Sequence, residues 1–386
     1  MRKTIQSEAK LSLAESISMI VGHSIGTGII AVPFLATKNS FKSVFIIVIM
    51  AYIINVILHL LIAELSYNNG GVQLVKSFEG ELFAGKFKKV FSWGMFLVYG
   101  LAIVIGVSGN INGGAQIIVS WLSIPFYVAQ IIYYLIAGSI VFIGMKAVGI
   151  AQKYTVILLF LIVGIMTIGT FVNPINAISV TQFKFNNLLA LFSMVVFATS
   201  ANQAVIQSVK GLNGDVAKIR LSILIGFLIS TLFVLIVTTT VILGTKGGLD
   251  KEMAYLQLGN SIGPWAAFLA AIFSLLALLS TFWSTTLSLR DVVHEQIGLN
   301  NKVCWILATL PSILFSIFGE NSFIILTRIM SGVVVLVGIM LIITYNKSRK
   351  NAGASPICGR FGATIFQVLV IISTIVCAIG ALIPLS

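Results

Sequence analysis

Residues 22–33 read Gly-His-Ser-Ile-Gly-Thr-Gly-Ile-Ile-Ala-Val-Pro, in the middle of the first apolar stretch of the chain. Gly22, Gly26 and Gly28 stand close together, and Pro33 follows. Glycine is a poor helix-interior residue because it loses the most backbone entropy on ordering. Two explanations compete. Gly22 and Gly26 fit the G-x-x-x-G pattern of a close helix-packing face. Alternatively, the helix unwinds here and its freed N–H and C=O groups face a polar cavity. Ser24 and Thr27, set between the glycines, add polarity that packing alone does not need, and this favours unwinding.

A second apolar stretch, residues 188–211, repeats the theme. Its centre, Ala198-Thr199-Ser200-Ala201-Asn202-Gln203, is polar where a membrane helix is usually greasiest. Counting apolar stretches, the two interrupted ones are the first and the sixth. Inverted-repeat transporters carry their discontinuous helices at corresponding points of two halves.

The composition fits a chain that lives in lipid. Of 386 residues, 58% are hydrophobic and 9% charged, and the mean hydropathy is +1.07. A soluble domain so apolar would expose far more greasy surface than water tolerates. A soluble enzyme, a nucleic-acid binder and a disordered chain are therefore excluded. Cys304, Cys358 and Cys377 lack metal-ligand or redox spacing, and no disulfide is expected. A bilayer-crossing helix needs about 20 apolar residues. Spans are expected near 14–36, 41–64, 88–121, 125–145, 149–172, 187–209, 219–244, 262–289, 302–318, 323–345 and 362–384. Residues 1–13 read as a retained cytoplasmic tail. The largest gaps are 65–87, with room for one short amphipathic helix, 173–186 and 245–261.

Lys and Arg set the orientation. With the N-terminus inside, 18 of the 24 fall in inside segments and five outside, with Arg328 inside span ten. A multi-pass protein of the cell membrane is expected, N-terminus cytoplasmic and C-terminus outside. The net charge of +13 then reads as a topogenic signal, and no nucleic-acid partner is expected.

The run GHSIGTGIIAVP resembles the first-helix signature of the amino acid–polyamine–organocation superfamily. It is closest to the aromatic and hydroxy amino acid permeases, the tryptophan/tyrosine permease-like group. LLIAELSYNNGG at the end of span two, VKGLNGDVAKIRLSILIG after span six and FSLLALLSTFWSTTLSLRDVV in span eight are similar to that family as well. The resemblance implies an all-α membrane protein of LeuT-like fold: a 5+5 inverted repeat, residues 14–172 and 187–345, plus an eleventh helix, 362–384. Helices one and six would be discontinuous, and helices one, two, six and seven would rock against the rest. His23 stands where the family has threonine, Thr27 where it has alanine, and Ser108-Gly109-Asn110 near where an aromatic is often found.

For an amino acid, the carboxylate suits backbone N–H groups at a half-helix start, near Gly26, Thr27 and Gly28. The ammonium suits carbonyls and hydroxyls near Ser24, Ile25, Phe197, Ala198, Thr199 and Ser200, with Ser108 also a candidate. Phe197 is a candidate lid or plain packing. Thr199 and Ser200 can instead bond their own helix carbonyls. The resemblance further implies a sodium ion held by carbonyls of Gly22, Ile25 and Ala277 and hydroxyls of Ser280 and Thr281. These hydroxyls can equally be small interface residues. Span five offers no lysine from Val156 to Phe171, and Lys153 is too shallow, which favours sodium. His23 either carries a proton or makes a structural hydrogen bond to another helix. Glu64 is a second candidate proton site, lining the inner vestibule or pairing with a base. At the inner mouth, Arg2 or Lys3 can latch onto Asp291 or Glu295, and Glu320 is a candidate partner for Arg328.

The expected function is import of a neutral amino acid, aromatic or large and apolar, by sodium-coupled alternating access. No cofactor beyond the coupling ion and no enzyme activity are expected. The alternatives are proton coupling, or a sensor of the germinant-receptor kind that binds without transporting.

Overall fold

Ser12 starts the first helix. Its hydroxyl accepts the Glu15 N–H, and Glu15 Oε2 accepts the Ser12 N–H at 2.7 Å, a capping box. Lys146 Nζ closes on the same carboxylate at 2.7 Å. The computed structural model describes residues 5, 10–83, 85–172, 174–175, 184–246, 254–319, 323–353 and 356–383, and the side chains of these except 27, 30, 31 and 323–336.

Helix α1 (Leu13–Ser24) stops inside the first apolar stretch, and α2 (Thr27–Ala36) restarts after Ile25 and Gly26. There follow α3 (Phe41–Asn68), α4 (Leu74–Glu81), α5 (Lys88–Leu122), α6 (Phe126–Ile143) and α7 (Met145–Val172). The pattern then begins again. Helix α8 (Phe185–Ala198) breaks at Thr199–Ala201 and resumes as α9 (Asn202–Gly211). Next come α10 (Val216–Gly244), α11 (Ala254–Ile262), α12 (Pro264–Ile297), α13 (Asn301–Phe318) and α14 (Phe323–Ala352). A 3₁₀ turn, Gly359–Gly362, leads to α15 (Thr364–Leu382).

The two runs match in length, element by element. Helices α3 and α10 have 28 and 29 residues, α4 and α11 have 8 and 9, α5 and α12 have 35 and 34, and α6 and α13 both have 18. Among the described residues, nine helices are long and apolar enough to cross a membrane, counting α8 with α9 as one. Helices α1 and α2, with 12 and 10 residues, are each too short to cross alone.

Helix α12 runs through the middle of the bundle. Ser280, Ser284, Thr286 and Ser288 along it are fully buried, while Leu135 of α6 and Ile168 of α7 lie open as lipid-facing residues do. Helix α15 packs on α8 and α14. Gly380 of α15 lies flat against the Leu189 carbonyl, leaving no room for a side chain. One turn away, Ser193 Oγ donates to the Cys377 carbonyl at 2.7 Å.

Three details depart from the expectations. The eighth span continues past 289 to Ile297, because Arg290 and Asp291 pair with each other and so can extend the helix. The 245–261 gap holds α11, too short to register as an apolar span. Among the described residues, Glu64 pairs with no base and does not line the cavity between the two helix breaks. Its Oε2 accepts the backbone N–H groups of Ile357 at 3.0 Å and Cys358 at 2.7 Å, so it organises the α14–α15 connection. The short helix expected in 65–87 is α4. Asp215 caps α10 by accepting the Lys218 N–H, and the Lys218 ammonium at 2.7 Å holds its carboxyl below the usual range.

Candidate functional site

The first break is built by closeness. A Cβ on Gly22 would overlap Gln152 Oε1 and Ser280 Oγ, and one on Gly26 would overlap Thr281 Oγ1. A Cβ on Gly28 would sit 2.5 Å from the Ala198 Cα. The two explanations of the glycines therefore both hold. Gly22 and Gly26 form a close face towards α12, and the helix also unwinds at Ile25 and Gly26. Gly28 brings the first break against the second.

The second break is braced from a neighbouring helix. Asn55 Nδ2 of α3 donates to the Val196 carbonyl at 3.0 Å and to Thr199 Oγ1 at 2.8 Å. One turn on, His59 Nε2 accepts the Ala201 N–H at 3.0 Å, while Nδ1 faces the Asn55 carbonyl at 2.6 Å. The amide can only donate and the carbonyl only accept. The imidazole is thereby fixed as the neutral tautomer with its proton on Nδ1. Thr199 Oγ1 donates back to the Val195 carbonyl at 2.7 Å, so the own-helix bond foreseen for it is present.

Between the breaks lies a cavity of about 190 Å³, room for about six waters at the volume each takes in the liquid. Ser24, Gly26, Gly28, Phe197, Ala198 and Ser200 of the expected substrate residues line it, as do His23 and Thr281, with Asn55, Tyr99, Asn110, Asn202 and Gln203. Both half-helices that restart here do so without a side-chain cap: α2 from Gly26 and α9 from Ala201. Their first N–H groups thus lack a side-chain cap at the positive dipole end of each half-helix. No Asp, Glu, Lys or Arg lines the cavity among the described residues.

Some expected residues lie elsewhere. Ser108 Oγ donates to the carbonyls of Val104 and Ser312, both at 2.8 Å, so it faces α13 and not the cavity. Asn110, two residues on, takes that place. Ile25 and Thr199 support the breaks without lining the space, and the Thr27 side chain is outside the described residues. The same is true of Arg2, Lys3, Glu320 and the Arg328 side chain. Asp291 is held by Arg290 at 2.7 Å and Lys210 at 3.3 Å, and Glu295 Oε2 accepts the Gln73 N–H at the start of α4.

Of the residues expected around sodium, Gly22, Ala277, Ser280 and Thr281 lie together at α12, and Gln152 joins them. Gln152 of α7, fully buried, donates its Nε2 to the Ser280 carbonyl at 2.6 Å and accepts the Ser280 hydroxyl at 2.5 Å. Thr281 Oγ1 points at the carbonyls of His23 at 3.4 Å and Ala277 at 3.3 Å. His23 Nδ1 meets Ser284 Oγ at 2.5 Å, the structural bond to another helix foreseen for it.

Two of the missed residues had a signal. Asn55 and His59 are an i, i+4 polar pair inside IINVILHLL, and intramembrane polar residues mark sites. Gln152 had none, because it sits just before the apolar part of its span.

No protein-family model and no curated protein matches the chain. Solved structures do. One is Mhp1, a nucleobase-cation-symport-1 family transporter in a closed conformation with bromovinylhydantoin bound: TM-score 0.69, 13% identity, 100% of this chain and 96% of that one. Another is the Eremococcus coleocola manganese transporter in complex with an aromatic bis-isothiourea compound: TM-score 0.60, 14% identity, 98% of this chain and 89% of that one. At such identities the likeness establishes the fold alone. This chain has the LeuT-like fold, with helices one and six discontinuous.

Proposed function

We propose that this protein is a secondary transporter that moves a neutral amino acid, aromatic or large and apolar, by alternating access. Residues 14–172 and 187–345 are its two repeats, and helices one, two, six and seven rock against the rest. The observation that carries this reading is the pair of uncapped half-helix starts, at Gly26 and Ala201, facing one cavity that no charged side chain lines among the described residues. Such a space suits a zwitterion: its carboxylate meets N–H groups at a positive dipole end, and its ammonium meets carbonyls at the ends of α1 and α8. The mostly apolar remainder (Ile54, Leu58, Ile62, Ile103 and Leu341 among others) accommodates a greasy side chain.

Sodium is the proposed coupling ion, held by the carbonyls of Gly22, Ile25 and Ala277 and the hydroxyls of Ser280 and Thr281. Gln152 Oε1, beside Gly22 and Ser280, supplies a sixth neutral oxygen. One observation favours a second reading, proton coupling: His23 lines the cavity itself.

Uptake of a panel of labelled amino acids into proteoliposomes, under sodium, potassium and pH gradients in turn, tests both. Sodium-dependent accumulation that falls at least tenfold in Ser280→Ala and Thr281→Ala is expected. Uptake driven only by an acid exterior and lost in His23→Thr moves the coupling to a proton. Binding without accumulation under any gradient makes the protein a sensor and overturns the transporter reading.

A further inference from the structure

We propose that Asn55 and Asn110 form a pair of hydrogen-bond acceptors that selects a ligand by its N–H groups, one asparagine from α3 and one from α5. The inference rests on the reading of the cavity as the substrate site. Both side chains line that cavity and are at least nine-tenths buried, and both leave Oδ1 without a hydrogen bond. Among the described cavity-lining residues, these are the two buried side-chain atoms left unmet, and both are acceptors.

The orientation of Asn55 is fixed. Its Nδ2 serves the Val196 carbonyl and Thr199 Oγ1, and the Thr199 hydroxyl is itself spent on Val195. Turning the amide over would set oxygen against oxygen. Asn110 Nδ2 donates to the Gly106 carbonyl in its own helix at 3.2 Å, leaving its oxygen as the free atom. A buried acceptor without a donor is destabilising, and native proteins supply one from protein, water or ligand.

The pair restricts the chemistry of the ligand. An acceptor-only anion meets two more oxygens and is repelled. A bare metal cation or a polyamine finds no carboxylate among the described lining residues. The ammonium of a zwitterion, an amide or a ureide offers N–H donors to both oxygens without bringing a net charge into the cavity. The two asparagines also belong to different parts of the proposed machine: α3 lies in the rocking group and α5 in the frame. A ligand with two donors therefore ties one to the other, and one without N–H groups fills the space but leaves them untied.

The test is calorimetric titration of the full-length detergent-purified protein with L-phenylalanine, L-leucine and L-serine. Each is paired with its N,N,N-trimethyl derivative, which keeps charge and carboxylate and removes every N–H. The wild type is expected to bind the parent compound about tenfold or more tightly than the trimethyl compound. In Asn110→Leu and Asn55→Leu the parent loses about tenfold while the trimethyl compound changes little, so the ratio collapses. Asn110→Asp, which keeps an acceptor, retains the ratio. Asn55 also braces the second break, so Asn110→Leu is the decisive variant should Asn55→Leu fail to fold. An unchanged ratio in the leucine variants, or a parallel loss for both ligands, overturns the acceptor pair and leaves the transporter reading standing. No binding of any parent compound to the wild type overturns the reading beneath it as well.

Discussion

At the first break side chains have been taken away, and at the second they have been added. Between α1 and α2, glycine at 22, 26 and 28 lets Gln152, Ser280, Thr281 and the backbone of Ala198 come close. Between α8 and α9 the chain keeps its side chains, and Asn55 and His59 reach across from α3 to bond the loose backbone. A break made by removal depends on shape, and almost any added atom harms it. A break made by addition depends on hydrogen bonds, and it is harmed by losing one. Substitutions at the two should differ in kind as well as in size.

The largest effect is expected at Gly28. Valine there must displace the Ala198 main chain, which cannot rotate away, at a cost of about 3 kcal/mol or more. Loss of the folded, monodisperse protein in detergent, or a steep fall in melting temperature, checks this; a variant as stable as wild type breaks the contrast. His59→Ala comes next. It orphans the Ala201 N–H and opens space beside Phe227, whose ring lies 4.3 Å away, so a loss of about 2–4 kcal/mol is expected. His59→Ala should also erase ligand binding in calorimetry, since the second break would lose its shape.

Gly26→Ala sharpens the comparison further. Its added carbon meets the end of the Thr281 side chain and not a backbone. It is expected to destabilise by about 1–3 kcal/mol and to be relieved by Thr281→Ala in a double-mutant cycle of melting temperatures. The same second substitution should do nothing for Gly28→Val. Thr199→Val removes one acceptor from Asn55 without changing volume much, for a cost of about 1 kcal/mol. Smallest of all is Ser108→Ala. It breaks a bond to α13, lowers stability by about 1 kcal/mol or less, and leaves uptake unchanged.

The contrast also explains which parts were legible in the sequence. Removal leaves its mark where it acts, so GHSIGTG announced the first break, and the polar run ATSANQ announced the second. The long apolar runs gave nearly every span, down to α5 at 88–122. What supports the second break lies elsewhere in the chain. That Asn55 and His59 meet residues 196–201 is a fact of packing, invisible without the fold. Ser108 was misplaced for a simpler reason. On a helix its neighbour two residues on points to a different side, and only the register of α5 against α13 decides that Asn110 faces the cavity. Glu64 was read as a lone acid at a helix end because its partners are backbone N–H groups, which no pattern of side chains reveals. Gln152 hid among ordinary polar residues at the start of α7.

The seam between α8 and α15 has a mechanical consequence. Gly380 rests on the Leu189 carbonyl, and Ser193 is bonded across to Cys377, so the two helices have no slack to slide past one another. If α8 rocks as proposed, α15, which lies outside both repeats, is carried with it. The far side of α15 carries Ile365, Val368, Ile372, Ile379 and Leu382, all open to the surroundings. Any tilt of the half-helix beside the cavity must therefore sweep that greasy flank through the acyl chains. The stiffness and thickness of the bilayer then enter the free energy of the tilt, although lipid never touches the site.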